Sequence, residues 1–141
     1  MENINILAIN PGSTSTKIAV YKNHNPTFIK NIKHSVEDLE KYESITDQYE
    51  FRRDIILNEL KDAKINLLDI NIIVGRGGLV KPIESGVYEI NDNLRHDLKN
   101  SPLGEHASNL GGLIADEIAK STKNAKAYIA DPVVVDELMP L

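Results

Sequence analysis

The first quarter of the chain contains short apolar runs that are typical of β-strands. Three such runs, rich in apolar, β-branched or aromatic residues, occupy residues 4–9, 17–22 and 27–34. In the third run, Phe28 and Ile32 fall on one face of an extended chain. Residues 23–26 contain the Asn and Pro of a turn signal. The short connections predict an antiparallel three-strand meander.

The apolar period then changes from two to about 3.6 residues. Asp47 followed by Glu50 has the spacing of a capping box, which predicts the start of a helix. Apolar residues recur after it at helical spacing: Tyr49, Ile56, Leu60 and Ala63. Residues 36–44, before this helix, are charged and predict a connection without secondary structure.

The second half of the chain alternates strand and helix patterns. Strands are predicted at residues 70–75 and 125–130, with a brief extended piece at residues 87–90. Ser101 and Pro102 predict the start of a helix. Its apolar stripe comprises Leu103, Ala107, Leu110, Ile114 and Ile118. We therefore predict an α/β fold, a mixed sheet with an antiparallel three-strand start and helices on its faces.

Composition narrows the class of protein. The 141 residues suffice for one domain, and 41% apolar and 26% charged residues are ordinary values for a globular protein. A net charge of −5 argues against a nucleic-acid partner. The sequence has no long apolar or basic run, so no membrane partner is predicted. The absence of cysteine excludes disulfides and thiolate metal sites. We expect a cytoplasmic protein.

The stretch INPGSTSTK at residues 9–17 is the first candidate site. It is not a P-loop, because Thr16 stands where that motif needs Gly, and one Gly is too few for a dinucleotide fingerprint. Backbone N–H groups and hydroxyls in such a hairpin can bind an anion, although an ordinary turn has the same composition. The candidate phosphate-binding residues are Gly12, Ser13, Thr14, Ser15, Thr16 and Lys17, preceded by Asn10.

Three further polar residues follow predicted strands or begin predicted helices. Arg76 lies in a Gly-rich loop after a strand, where a guanidinium suits carboxylate or phosphate, or forms a surface ion pair. His106 is near the start of a predicted helix, and it is either a site residue or a histidine on the solvated face of that helix. Asp131 closes the last predicted strand, and it is either a site residue or only the N-cap of a following helix. Together these groups are typical of phosphoryl transfer.

Four segments in order carry a family resemblance: INPGSTSTK, VGRGGL, GEHASNLG and DPVVVDE. They closely resemble the butyrate kinase branch of the acetate kinase family, within the superfamily of acetokinases, sugar kinases, chaperones and actin. The resemblance runs from residue 4 to the end. Pro11 and Ala107 favour the butyrate branch over the acetate branch. The implied fold is the actin-like ATPase domain, which is ribonuclease H-like.

The resemblance implies a reversible reaction in which ATP and butyrate give butyryl phosphate and ADP, with Mg²⁺. Asn10 and the hydroxyl-rich loop would face the phosphates, and Arg76 would hold the carboxylate or the transferring phosphoryl group. His106 would donate a hydrogen bond to the developing charge, and Asp131 would lie near the magnesium ion, although no metal ligand is assigned. We also predict an apolar pocket for the acyl chain of the substrate, formed by Val80, Pro82 and Ile83.

The same resemblance implies a second domain that completes the ATP cleft, so we expect residues 1–141 to be an incomplete N-terminal domain, nearly inactive alone. For the full-length protein we expect a homo-oligomer that binds nucleotide and a short-chain carboxylate. Two alternatives stay open: a kinase for another short or branched-chain acid, and a non-catalytic nucleotide-fold interaction module. The sequence does not choose the acid, because one methylene changes binding by only about 1–3 kcal/mol.

Overall fold

A six-stranded mixed sheet organises the residues that the computed structural model describes, namely 3–43, 46–76, 87–90, 109–122 and 124–130. The strand order across the sheet is β3-β2-β1-β4-β6-β5. The strands are β1 (Asn5–Pro11), β2 (Ser15–Lys22), β3 (Asn25–Lys33), β4 (Ile72–Arg76), β5 (Val87–Glu89) and β6 (Lys126–Ala130).

The pairing of these strands confirms the predicted topology. β1, β2 and β3 form the antiparallel meander, and β4 and β6 are added in parallel to β1 and to each other. β5 pairs antiparallel with β6 at the sheet edge, which gives the predicted brief extended piece a partner. The carboxyl ends of β1 and β4 therefore meet at one end of the sheet.

Three α-helices lie within the described residues: α1 (Val36–Leu39), α2 (Tyr49–Asp62) and α3 (Asn109–Lys120). The prediction of a bare connection at residues 36–44 was wrong, because Ser35 caps a short helix by accepting from the Asp38 N–H at 3.2 Å. The helix that Asp47 and Glu50 predicted is present and begins at Tyr49. A 3₁₀ turn, Thr46–Gln48, precedes α2, and its N-cap residue Gln48 makes no side-chain cap bond.

The hydrophobic core divides between the two faces of the sheet because strand side chains alternate. On the first face, α2 and α3 pack against alternate strand residues, and the fully buried members include Leu7, Ile18, Ile56, Ile73, Leu110, Ile114 and Ile118. The second face has a smaller buried cluster formed by Ala8, Ala19, Tyr21 and Val74. This alternation decides on which face each polar residue at the strand ends lies.

Candidate functional site

The hairpin between β1 and β2 is a tight turn of four residues, 12–15. The Gly12 N–H donates to the Ser15 carbonyl at 2.7 Å, which closes the turn. Ser13 and Thr14 at its tip are exposed. Pro11 and Thr16 are register partners in the two strands below it. The predicted phosphate loop is thus a short, closed connection at the carboxyl end of β1, and we refer to residues 12–15 as the hairpin loop.

A buried arginine of α2 lies beneath the hairpin loop. Arg52 is 0% exposed, and its Nη1 donates to the carbonyl oxygens of Gly12 at 2.6 Å and Ser15 at 2.8 Å. Its Nη2 donates to the Ser13 carbonyl at 3.1 Å. Gln48, one turn earlier on the chain, accepts from both Nε and Nη2 of Arg52 through its amide oxygen. Neither side chain is among the site residues predicted from the sequence.

The contacts of Arg52 determine where the N–H groups of the loop point. A trans peptide group holds its C=O and N–H antiparallel, and the described residues contain no cis bond. The N–H groups of Ser13 and Thr14 follow carbonyls that point to Arg52, so they point away from it. Neither N–H has an acceptor among the described residues. The exposed side of the loop therefore presents two backbone donors beside hydroxyl groups, an arrangement suited to an anion.

Thr16 lies on the opposite side from these donors. It is 0% exposed, on the first face of the sheet, and its Oγ1 is 2.7 Å from Nε2 of His34 and accepts from Arg52 Nη1 at 3.3 Å. The His34 N–H donates to the Thr14 carbonyl at 2.9 Å. Among the predicted loop residues, Thr16 is thus part of the buried support, whereas Ser13 and Thr14 are at the surface.

His34 has a lowered pKa for two physical reasons. Burial disfavours the imidazolium most, and the positive charge of Arg52 adds to that effect, while Asp38 opposes it. The neutral ring can accept a hydrogen bond from the Thr16 hydroxyl at Nε2. Protonation of the ring would turn Nε2 into a donor next to a buried guanidinium. The folded protein therefore favours neutral His34.

This lowered pKa predicts that stability falls on mild acidification. Below the unfolded-state pKa of 6.5, the unfolded chain binds a proton more readily than the folded protein does, so unfolding is favoured until the folded pKa is reached. We expect the urea midpoint to be level from pH 8 to about 7 and to fall between about pH 6.5 and 5. His34→Gln should flatten this part of the profile. The matched control is His24→Gln in the exposed β2–β3 turn, and an equal slope in both variants would contradict the assignment.

Three polar residues form a row across the end of the sheet. Asn10 and Lys17 are cross-strand partners, and Arg76 follows the last registered β1–β4 pair, Ile9 and Gly75. All three are half-buried and alternate in phase with second-face residues, namely Ala8, Ala19 and Val74. The structure therefore brings Lys17, Asn10 and Arg76 to one face, at the carboxyl ends of β1 and β4.

A close contact between two glycines holds α3 against β4 beside Arg76. A Cβ at Gly75 would lie 2.2 Å from the carbonyl carbon and oxygen of Gly111. A Cβ at Gly111 would lie 2.7 Å from the Arg76 carbonyl oxygen. Only glycine permits this separation of helix and strand. The backbone at Arg76 is therefore fixed by direct contact with the first turn of α3.

The remaining predicted site residues lie outside the described residues. These are His106, Asp131 and the three pocket residues Val80, Pro82 and Ile83. Their roles stay predictions. No group of three His, Asp or Glu side chains that could hold a metal ion occurs in the described part of the chain. Nor does that part include a helix with the length and apolar character needed to cross a bilayer.

A surface cavity of about 370 Å³ lies at the other end of α2. Its lining comprises Leu57, Leu60, Lys61, Lys64, Ile65, Asn66 and Leu67. Arg52, which binds the hairpin loop, is near the beginning of the same helix, and the 14 residues of this helix span about 21 Å. This cavity is therefore separate from the candidate anion site.

Comparison with known proteins gives a close relative in sequence. The chain is 56% identical over 133 residues to butyrate kinase 1 of Clostridium acetobutylicum. This match covers 94% of the chain but only 37% of the relative, so the chain spans little more than a third of its length. No family model matches the chain.

Solved structures agree on the fold at low identity. Acetate kinase from Entamoeba histolytica matches 90% of the chain and 34% of its own length, with a TM-score of 0.56 and 17% identity. An exopolyphosphatase from Cytophaga hutchinsonii matches 98% of the chain and 58% of its own, with a TM-score of 0.58 and 14% identity. The fold is thus the actin-like one shared by these enzymes. In sequence, the chain is similar to an amino-terminal part of a butyrate kinase.

Proposed function

We propose that the chain is the phosphate-binding part of a carboxylate kinase that transfers a phosphoryl group between ATP and butyrate. The observation that carries this proposal is the pair of outward N–H groups at Ser13 and Thr14, in a chain 56% identical to a butyrate kinase. The products would be butyryl phosphate and ADP, and the reaction would be reversible.

The transfer would proceed by direct attack of a carboxylate oxygen on the terminal phosphorus of ATP. The bond from that phosphorus to the bridging oxygen breaks, and ADP leaves with that oxygen. The hairpin loop would bind phosphate oxygens through the Ser13 and Thr14 N–H groups and the neighbouring hydroxyls. Because the transition state spreads negative charge over the phosphoryl oxygens, fixed donors lower its free energy without reorganising during the reaction.

Arg76 would bind the carboxylate or the transferring phosphoryl group. Its guanidinium can donate two parallel hydrogen bonds to either group. Asn10, next to it in the row, would contribute an amide donor, and Lys17 a second positive charge. Neutralising the phosphoryl oxygens and aligning the carboxylate would reduce the electrostatic repulsion between the two anionic reactants.

The other proposed roles concern His106, Asp131 and the metal ion. His106 would donate a hydrogen bond to the transferring group, and Asp131 would lie near Mg²⁺. Mg²⁺ would offset the negative charge of the phosphates. The described residues do not gather a set of metal ligands, so no step is assigned to the ion. The pocket for the alkyl chain would be formed by Val80, Pro82 and Ile83.

An acyl phosphate assay tests the proposed function. The protein that carries this sequence, in its full natural length, is incubated with ATP, Mg²⁺ and butyrate, propionate or acetate, and hydroxylamine traps the product as a hydroxamate. We expect robust product with butyrate, and reactions without ATP are the control. If ATP binds and no carboxylate is phosphorylated, the alternative of a non-catalytic interaction module replaces the proposal. If another short acid is the best substrate, the kinase class holds and the preference for butyrate does not.

The 141-residue chain should be assayed in parallel. We expect it to bind polyphosphate through the hairpin loop and to give little or no hydroxamate, because a cleft that cannot close leaves the phosphoryl group open to water. This expectation would be contradicted if the 141-residue chain formed hydroxamate at the same rate as the full-length protein. Gel filtration of the longest form tests the proposed homo-oligomer.

A further inference from the structure

The buried Arg52 has no part in the transfer reaction proposed above. Its guanidinium has five N–H groups and makes six contacts with acceptors at 3.3 Å or less. Three of these acceptors are the carbonyl oxygens of Gly12, Ser13 and Ser15. A side chain 40 residues away in sequence therefore fixes the backbone of the hairpin loop.

The charge of this guanidinium has no acidic partner among the described residues. None of the ion pairs there includes Arg52, and its side-chain acceptors are the amide of Gln48 and the hydroxyl of Thr16. Burial lowers the pKa of Arg52 to about 10, which leaves the side chain protonated at neutral pH. Among the described residues the acceptors of this buried ion are all neutral, so hydrogen bonds rather than a counter-ion offset the cost of its desolvation.

We propose that Arg52 is a positioning residue for the anion-binding hairpin loop. It holds the loop carbonyls on the buried side, which turns the N–H groups of Ser13 and Thr14 toward a phosphate on the exposed side. It also adds one positive charge beneath that phosphate, which no carboxylate of the described residues neutralises. Arg52 does not touch the substrate in this arrangement. The proposal rests on the phosphate-binding role given above, but not on the identity of the phosphoryl acceptor.

Gln48 sets the charge at this position. Its amide oxygen accepts two of the Arg52 N–H groups, at 2.8 Å from Nη2 and 3.2 Å from Nε. A glutamate of the same length would accept the same two bonds and would also neutralise the guanidinium. Residue 48 is moreover the N-cap residue of α2, where a negative charge is favoured. Gln48→Glu should therefore preserve or raise stability while removing the positive charge beneath the loop.

Two variants and one control separate positioning from a merely structural role. Arg52→Lys keeps the charge but loses the planar group that reaches three carbonyls. Gln48→Glu keeps the geometry but cancels the charge. Arg53→Lys is the control, because Arg53 is on the same helix and pairs with Asp54 and Glu117 rather than with the loop. Each is compared with the wild-type chain in thermal unfolding and in binding of inorganic tripolyphosphate at one low ionic strength.

We expect Arg52→Lys to weaken tripolyphosphate binding by about tenfold or more, with loss of the ligand-induced shifts of the Ser13 and Thr14 amide signals in NMR spectra. Gln48→Glu should weaken binding by roughly tenfold without lowering the melting temperature, because one unit of charge near a polyanion is removed. Arg53→Lys should bind as the wild type does. A merely structural role would leave the affinity of Gln48→Glu unchanged.

The results distinguish this inference from the proposed function. Wild-type affinity in a folded Arg52→Lys chain would overturn the positioning role, and wild-type affinity in Gln48→Glu would overturn the electrostatic part. If Arg52→Lys does not fold, Gln48→Glu still decides whether the charge acts on the anion. If the wild-type chain binds tripolyphosphate and the full-length protein phosphorylates no carboxylate, the kinase proposal fails while the role of Arg52 is still tested.

Discussion

Replacing Gly75 by alanine should destabilise the fold by about 3 kcal/mol or more, one of the two largest effects that we expect from a single substitution. The new Cβ would lie 2.2 Å from the backbone of Gly111 and 2.6 Å from the Gly112 nitrogen. Backbone atoms inside a helix cannot move aside separately, so the whole of α3 must shift from β4. The small entropic gain of Gly→Ala in the unfolded chain, about 0.4–1 kcal/mol, does not offset this clash. Urea unfolding measures the difference.

Gly12→Ala is the matched control for that experiment. Its Cβ would lie 3.2 Å from Ser15 Oγ, the end of a side chain that can rotate. We expect a change within about 1 kcal/mol. Gly111→Ala should resemble Gly75→Ala, because its Cβ would lie 2.7 Å from the Arg76 carbonyl oxygen. An unfolding midpoint equal to that of the wild type in Gly75→Ala would show that α3 and β4 can separate without cost, which would contradict the proposed fixing of Arg76.

The local elements and their order could be predicted because they follow from side-chain period and turn residues. Alternating or continuous apolar runs predicted β1, β2, β3, β4 and β6, and strand–helix alternation predicted the parallel pairs. Short or polar elements were harder. Only four residues form α1, and its single signal is Ser35 before two acidic residues. The 3₁₀ turn before α2 was not predicted, and its last residue, Gln48, binds Arg52.

The sequence did contain a signal for Arg52. The residue stands four positions before Ile56 and eight before Leu60, which places it on the apolar stripe of α2 that packs against the sheet. An arginine at such a position needs several acceptors, and a nearby glycine-containing turn can supply carbonyl oxygens. The partner could not be predicted, since the contact joins segments separated by 40 residues.

The side-chain period also separates the residues of the candidate loop. Thr16 is in phase with Ile18 and Val20, which face the helices, so its hydroxyl was predictable as a buried one. Lys17 is out of phase with them and lies on the same face as Asn10. From composition alone, all residues of the loop were predicted to be phosphate donors together. The structure divides it into an exposed tip, Ser13 and Thr14, and a buried support.

Sequence similarity and hydrogen-bond geometry both concern the same end of the sheet. The proposed reaction class rests on the similarity to a butyrate kinase, whereas the proposed phosphate site rests on the hydrogen bonds of the hairpin loop. Neither is sufficient alone, because the same fold occurs in an acetate kinase and in an exopolyphosphatase. The row of Lys17, Asn10 and Arg76 is where the two can be tested together.

Arg76→Ala should reduce the rate of acyl phosphate formation by about 10³-fold or more, while the protein stays folded. The residue ends β4, is half-buried, and lies next to Asn10 in the row. If its guanidinium neutralises the transferring group, most of the loss should appear in kcat rather than in the KM for ATP, because the interaction is strongest in the transition state. The hydroxamate assay on the full-length protein measures both constants with butyrate.

Arg76→Lys and chemical rescue make the test specific. Lysine keeps the positive charge but cannot donate two parallel hydrogen bonds, so we expect it to recover only a small part of the lost rate. Added guanidinium ion should raise the rate of Arg76→Ala and leave Arg53→Ala, the control on α2, unchanged. A structural role would give the opposite pattern, with a lowered melting temperature and no rescue. If Arg76→Ala keeps a tenth or more of the wild-type rate, the charge that stabilises the phosphoryl group must come from elsewhere, and the row is not the catalytic centre.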